Sequence, residues 1–201
     1  MTEFYHKNWM KLWNSAGYRE HKINNFNNLD AYLSTPPAKI LDIGCGMAWE
    51  SQQFNKKYNT ELWLLDGDES NNENKPLKSN EGKWHPTANT MLFYHPMDVL
   101  DQKLQENNVT NYHLVDVNNV NIPDDVKFDV ITSWLSCGFH YPVSTYRDLI
   151  LRHSHPNTVI VMDLRVLKPK TNKLAIIDAG VEIVEIIGRG RKHVNAHIRF
   201  V

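Results

Sequence analysis

The chain alternates short apolar runs with longer stretches of mixed character. Lys39 to Ile43, Glu61 to Leu65, Tyr112 to Val115, Phe128 to Trp134 and Thr158 to Met162 are compact apolar runs bounded by turn-forming residues, and each predicts a buried strand. Between them, Met47 to Tyr58, Asn89 to Glu106 and Thr145 to His153 predict helices. Phe4, Trp9, Leu12, Trp13, Phe26, Leu29 and Leu33 recur through a polar N-terminal segment. Their spacing predicts one or two amphipathic helices, stopped by Ser34-Thr35-Pro36-Pro37. Residues 67 to 88, rich in Asn, Glu, Lys and Ser, predict a long loop. At the end, Val181 to Ile187 and Val194 to Val201 are apolar runs joined by Gly188-Arg189-Gly190-Arg191-Lys192, a hairpin pattern with a long turn.

Strands alternating with helices predict an α/β fold: a Rossmann-like, doubly wound, mainly parallel sheet with helices on both faces and an antiparallel hairpin at the C-terminus. The 201 residues fit a single domain, with 1–35 as a helical cap and 38–201 as the core. In such a sheet a ligand sits beyond the carboxyl ends of the strands, near the point where strand order reverses. The segments that follow each strand are therefore where chemistry is expected.

After the first strand comes Asp42-Ile43-Gly44-Cys45-Gly46-Met47-Ala48-Trp49. Gly44 and Gly46 allow a tight turn and a close backbone approach, and the next helix begins with free N–H groups. A dinucleotide fingerprint would place a third glycine where Trp49 stands. Asp42, ahead of the first glycine, is badly placed beside a pyrophosphate and suits a cationic amino group, such as that of the methionine end of S-adenosylmethionine. Asp66 follows the second strand about 20 residues further on, the spacing at which a carboxylate meets ribose hydroxyls; Asp68 is the alternative two positions along.

Composition narrows the function classes. Hydrophobic residues make up 41% and charged residues 22%, as in globular proteins. The net charge of -1 argues against nucleic acid as a partner. Two cysteines, Cys45 and Cys137, are too few for a disulfide framework or a cysteine zinc site and fit a reducing compartment. No apolar run is long enough to span a bilayer and no signal-peptide core is visible, so a cytoplasmic location without membrane partners is expected.

At this point the chain resembles the class I S-adenosylmethionine-dependent methyltransferases. The residues that carry the likeness are Leu41-Asp42-Ile43-Gly44-Cys45-Gly46, then Leu64-Leu65-Asp66, then Leu114-Val115-Asp116-Val117 through Ile122-Pro123, then Phe128 to Ser133. The resemblance implies a seven-stranded sheet whose last strand is antiparallel, transferase activity, and S-adenosylmethionine as cofactor. It implies that Asp42, Gly44, Cys45 and Gly46 hold the methionine moiety, Asp66 the ribose, and Asp116 and Val117 the adenine, with Trp134 beside the cofactor. Met47-Ala48 departs from the family, many of whose members carry a third glycine there. The first 35 residues have no counterpart in it.

The segment Ser133 to Pro142 is expected to face the methyl donor. His140 is the candidate general base, because imidazole titrates near neutral pH and many relatives carry histidine at that position. Gly138 is expected to let the loop pass close to the cofactor, with Phe139 and Tyr141 as pocket walls. A small-molecule or sugar hydroxyl is the expected acceptor. A non-catalytic binding or partner subunit of the same fold, and a nucleic-acid methyltransferase using the basic hairpin, are the alternatives. No metal site is expected: His193 and His197 share a strand face, but further zinc ligands are not recognisable, and Asp163 and Arg165 at the end of the fifth strand lack the rest of a magnesium ligand set.

Overall fold

The computed structural model describes residues 15–67, 97–139, 142–168, 173–174, 180–190 and 192–201. In chain order these form α1 (Ala16–Tyr32), β1 (Lys39–Ile43), α2 (Trp49–Tyr58), β2 (Glu61–Asp66), α3 (Met97–Glu106), β3 (Tyr112–Asp116) and β4 (Val130–Ser133). A 3-10 turn (Val143–Tyr146), α4 (Arg147–His153), β5 (Val159–Lys168), β6 (Lys173–Leu174), β7 (Val181–Arg189) and β8 (His193–Phe200) follow. Among the described residues no helix is long and apolar enough to cross a membrane.

One sheet runs in the order β3-β2-β1-β4-β5-β8-β7, and the short β6 pairs β5 beside this path. The first five strands of that order are mutually parallel. β8 runs antiparallel to both β5 and β7. Strand order reverses between β1 and β4, so the carboxyl ends of β1, β2, β3 and β4 open on one edge, with β1 at the switch point.

Period-two alternation sorts the strand residues onto two faces. Ile40, Leu62, Leu64, Val130 and Val161 pack with Leu29 of α1, Phe54 of α2, and Leu100 and Leu104 of α3. Leu41, Ile43, Trp63, Leu65, Ile131, Met162 and Ala196 face the other way, against Val143 of the 3-10 turn and Ile150 of α4. Both faces of β1, β2 and β4 are buried, as their near-continuous apolar sequences predict, while the edge strand β3 is partly exposed at His113.

Three elements differ from the sequence-based expectation. α2 starts at Trp49, because Ala48 sits in the left-handed region (φ 50) and ends the turn before it. β5 continues to Lys168, because β8 pairs it as far as Arg165 and β6 pairs it at Val166 and Lys168; Asp163 and Arg165 therefore lie within the strand and not at its end. The predicted helix from Asn89 is described only from Met97, and the predicted loop only at Gly67.

The N-terminal cap differs most. Ser15 caps α1 by accepting the Tyr18 N–H at 3.3 Å. The aromatics before it lie outside the described residues. The fully buried stripe of α1 is Lys22, Asn25 and Leu29, while Ile23 is exposed. Two of these three inner residues are polar, so the helix is not the amphipathic one expected. Lys22 Nζ and Asn25 Nδ2 both donate to Glu50 Oε1 of α2, each at 2.8 Å. Burial works against the Lys22 charge, but the Glu50 carboxylate outweighs it and holds the ammonium above its ordinary range. Phe26 completes the contact edge-on against Phe54, 4.8 Å between centroids.

Removing one partner of a buried ion pair leaves an uncompensated charge, at a cost of about 3–5 kcal/mol. Lys22→Met is expected to destabilise the protein by that order in denaturant unfolding. The double variant Lys22→Met/Glu50→Leu is expected to recover most of the loss; equal losses in both would show that packing, not charge, seats the helix.

Candidate cofactor site at the carboxyl ends of the parallel strands

The turn after β1 is pinned to β2. Gly44 and Cys45 both donate to the Leu65 carbonyl, at 2.7 and 3.2 Å. The Asp66 carboxylate completes the tie: Oδ2 accepts the Gly46 N–H and Oδ1 the Gly67 N–H, both at 2.7 Å. Val117, at the end of β3, donates to the Asp66 carbonyl at 2.9 Å.

The two glycines do different work. Gly44 has φ +67, and a Cβ there would lie 2.1 Å from Ser136 Oγ. Its missing side chain makes room for Ser136 of the loop after β4. Gly46 has φ +53, and among the described residues a Cβ there would meet nothing within 4 Å. Among those residues its backbone fronts open space beside the Asp66 carboxylate, which accepts its N–H.

Asp42 is wholly buried. Its Oδ2 accepts the Ser51 hydroxyl of α2 at 2.6 Å. Burial pushes its pKa up to about 7, against the opposing pull of the Ser51 hydrogen bond. With no exposed surface, Asp42 supports the loop from inside. Cys45 is half-buried, and burial together with the Asp66 and Asp42 carboxylates holds its thiol well above the ordinary range.

Asp116 ends β3 level with Asp66 in the parallel register. Its Oδ1 accepts the backbone N–H and the side-chain amide of Asn118, at 2.9 and 3.0 Å. Val117 is half-buried and packs on the α4 face of the core. Trp134 is 5% exposed and packs in the other cluster, with Leu29, Ala48 and Phe54; its indole N–H has no hydrogen-bond partner. His140 and Tyr141 lie outside the described residues.

The loop after β4 is anchored at several points. Ser133 Oγ donates to the Ile43 carbonyl and accepts the Cys137 N–H, both at 2.8 Å. Leu135, in the left-handed region (φ 55), donates to Asp163 Oδ2 at 2.9 Å. Gly138 has φ +86, and a Cβ there would lie 2.9 Å from Leu164 and 3.1 Å from the Asp163 carbonyl. Gly138 thus lets the loop lie against β5, which is the close approach that decides this position. Phe139 is covered by the Arg165 guanidinium, 4.8 Å from its ring centroid.

Sequence reasoning did not foresee the polar seat beneath α1. Asp163 of β5 and His193 and Asn195 of β8 are buried on the α1 face, and His21 of α1 meets His193 edge-on at 5.1 Å between centroids. Burial pushes Asp163 up to about 7 and His193 down to about 4. His197 shares that face with His193, as period two predicts, and pairs further along α1 with Tyr32 through Nδ1 at 2.8 Å. Only the antiparallel β5–β8 register, which sets Asp163 opposite Asn195, reveals the seat.

No family model matches the sequence, and no curated protein matches it. Solved structures match the fold. The PH0226 protein from Pyrococcus horikoshii OT3 superposes with a TM-score of 0.63 at 12% identity, over 94% of this chain and 93% of that one. The E81Q mutant of MtNAS, in complex with S-adenosylmethionine, superposes with a TM-score of 0.57 at 11% identity, over 96% of this chain and 66% of that one. The plantazolicin methyltransferase BpumL, in complex with SAH, superposes with a TM-score of 0.54 at 14% identity, over 79% of this chain and 52% of that one. The chain thus spans about half the length of BpumL.

The chain shares its Rossmann-like fold with these solved structures, a methyltransferase among them. Ala48 has a left-handed backbone (φ 50), a conformation that glycine adopts without steric cost. A residue with a Cβ pays roughly 1–2 kcal/mol for that conformation. Ala48 tolerates it with its methyl fully buried among Leu29, Ile40 and Trp134.

The buried Asp42 makes a pH prediction. In the unfolded chain it ionises at the ordinary aspartate value; in the folded protein it keeps its proton up to about pH 7. The folded state binds the extra proton between those limits, so this group's contribution to stability falls as pH rises through them. Asp42→Asn has no such proton to lose. Its stability relative to wild type is expected to improve between about pH 4 and pH 8, by on the order of a few kcal/mol. Urea unfolding across that range measures it, and parallel profiles for the two proteins would contradict the assignment.

Proposed function

We propose that this chain is an S-adenosylmethionine-dependent methyltransferase acting on a hydroxyl of a small molecule or sugar, with His140 as general base. The observation that carries the reading is the open ground at Gly46 beside the Asp66 carboxylate, at the strand-order switch point. The Asp66 carboxylate accepts the Gly46 and Gly67 N–H groups, which holds it at the end of β2 facing the glycine turn. A carboxylate there suits a ribose diol, whose two hydroxyls it can accept from.

The strand ends supply the rest in spatial order. Gly44, Cys45 and Gly46 after β1 would hold the methionine end, with Asp42 bracing the loop. Asp66 after β2 would hold the ribose, and Asp116 and Val117 after β3 the adenine. The loop after β4, on the far side of β1, would bring the acceptor. The SAH and S-adenosylmethionine held by BpumL and MtNAS, which share the fold, support the same cofactor here. S-adenosylmethionine supplies a methyl carbon on a sulfonium, and transfer is an in-line displacement in which the C–S bond breaks, its electrons passing to sulfur, as the C–O bond forms. The hydroxyl proton would pass to His140, whose imidazole is suited to take it near neutral pH.

Thermal shift tests the cofactor. Saturating S-adenosylmethionine or S-adenosylhomocysteine is expected to stabilise the protein by about 2.7 kcal/mol at a hundredfold excess over Kd, and NAD is expected to do nothing. Asp66→Asn is expected to weaken that binding by roughly tenfold to a hundredfold, the worth of a charge-assisted hydrogen bond. No stabilisation by either sulfur ligand would sink the reading.

Methyl-transfer assays over sugars and phenols test the base. His140→Ala is expected to lower kcat by about a hundredfold to ten-thousandfold while leaving S-adenosylhomocysteine binding unchanged. Full activity in that variant would remove His140 from the mechanism and leave the cofactor site standing.

A further inference from the structure

His21 of α1, Asp163 of β5 and His193 of β8 converge from three separate elements. A ring nitrogen of each histidine and one carboxylate oxygen all lie within 4.8 Å of one another. Asp163 is fully buried and His193 is 6% exposed. His21 Nε2 and His193 Nε2 are both buried with no hydrogen-bond partner.

An unpaired buried imidazole nitrogen normally finds a donor, an acceptor or a metal. Here the nearest candidate fails as a hydrogen bond: His193 Nε2 lies 3.7 Å from Asp163 Oδ2, beyond hydrogen-bond range. The same separation is close to the roughly 3.4 Å between two ligands of a tetrahedral ion with bonds of about 2.1 Å.

The groups are held from behind. Asp163 Oδ2 accepts the Leu135 N–H at 2.9 Å, and Oδ1 accepts the Asn195 amide. The His193 ring lies across Gly190, where a Cβ would come within 2.1 Å of the ring. Such outer partners orient metal ligands. Lys22, the cation that would oppose a metal here, is bonded to Glu50 at 2.8 Å, and that pair is neutral overall.

We propose that His21, Asp163 and His193 form a binding site for a divalent transition metal. Two imidazoles and one carboxylate suit zinc, iron(II), cobalt(II) or nickel rather than magnesium or calcium, which prefer all-oxygen sets. Three protein ligands leave a position for water or a substrate oxygen. The ion would fasten the α1 cap to β5 and β8. The site is built from residues other than those of the Gly46–Asp66 turn, and this assignment does not depend on the methyltransferase reading.

Cobalt(II) is the probe. The full chain, stripped with chelator and dialysed, is expected to take up one equivalent of Co2+ with visible ligand-field bands that Zn2+ removes and Mg2+ does not. His21→Ala and His193→Ala are expected to abolish the bands, and Asn195→Ala to weaken binding by about 10–100-fold. His197→Ala is expected to bind as wild type does. Circular dichroism reports folding independently. If His193→Ala fails to fold, His21→Ala, on the cap helix, decides the question. No uptake at one equivalent, or bands that survive in folded His21→Ala, would overturn the assignment.

Discussion

The Asp66 carboxylate closes the edge of the sheet on which everything else is arranged. A parallel strand that ends without a helix leaves backbone donors to satisfy, and the turn after β1 has its Gly46 N–H pointing toward β2. One carboxylate takes that N–H and the Gly67 N–H together. The β1 turn therefore cannot move without β2. β3 is carried along, since Val117 donates to the Asp66 carbonyl. The side chain that would meet a ribose is thus also the one that gives the glycine turn its shape. Under the proposed function, binding and preorganisation would rest on the same two oxygens.

The loop after β4 transmits this order to the other half of the sheet. Ser136 occupies the space that Gly44 vacates, Ser133 joins the end of β1 to Cys137, and Leu135 donates to Asp163. One short segment thus touches both the glycine turn and the polar seat under α1. A left-handed leucine is costly, and strain of this kind persists only where the surroundings determine it from several sides. Those surroundings are the β1 turn on one side and the buried carboxylate of β5 on the other.

The α1 face of the sheet is divided by chemistry. Toward β1 and β2 it is mainly apolar, with the Asp42–Ser51 hydrogen bond as a buried polar contact. Toward β5 and β8 it carries Asp163, His193 and Asn195. The helix that covers both regions answers with Leu29 for the first and Lys22 and Asn25 for the second. A buried ion pair is a weak source of stability, because desolvation offsets most of its attraction. Its distances and partners are nevertheless demanding, and they give the cap one seat where a purely apolar stripe would allow several.

Period-two and helical patterns were enough to place β1, β2, β3 and β4, the hairpin and the parallel core, because each depends on local alternation and on apolar runs, which in β1, β2 and β4 are buried on both faces. The spacing of Gly44, Gly46 and Asp66 was legible for the same local reason: the turn and the strand end that follows it form one βαβ unit. What the sequence could not settle was which contacts those residues make. Gly44 serves Ser136, Gly138 serves β5, and Asp42 faces Ser51 from inside the core; each partner comes from an element distant in sequence. The polar stripe of α1 was invisible for a sharper reason. Lysine and asparagine read as solvent-facing residues until a buried carboxylate is placed opposite them, and only the packing of α1 on α2 brings Glu50 there. The convergence of His21, Asp163 and His193 likewise exists only through the antiparallel pairing of β8 with β5 and the seating of the cap, because three ligands from three elements leave no period in the chain.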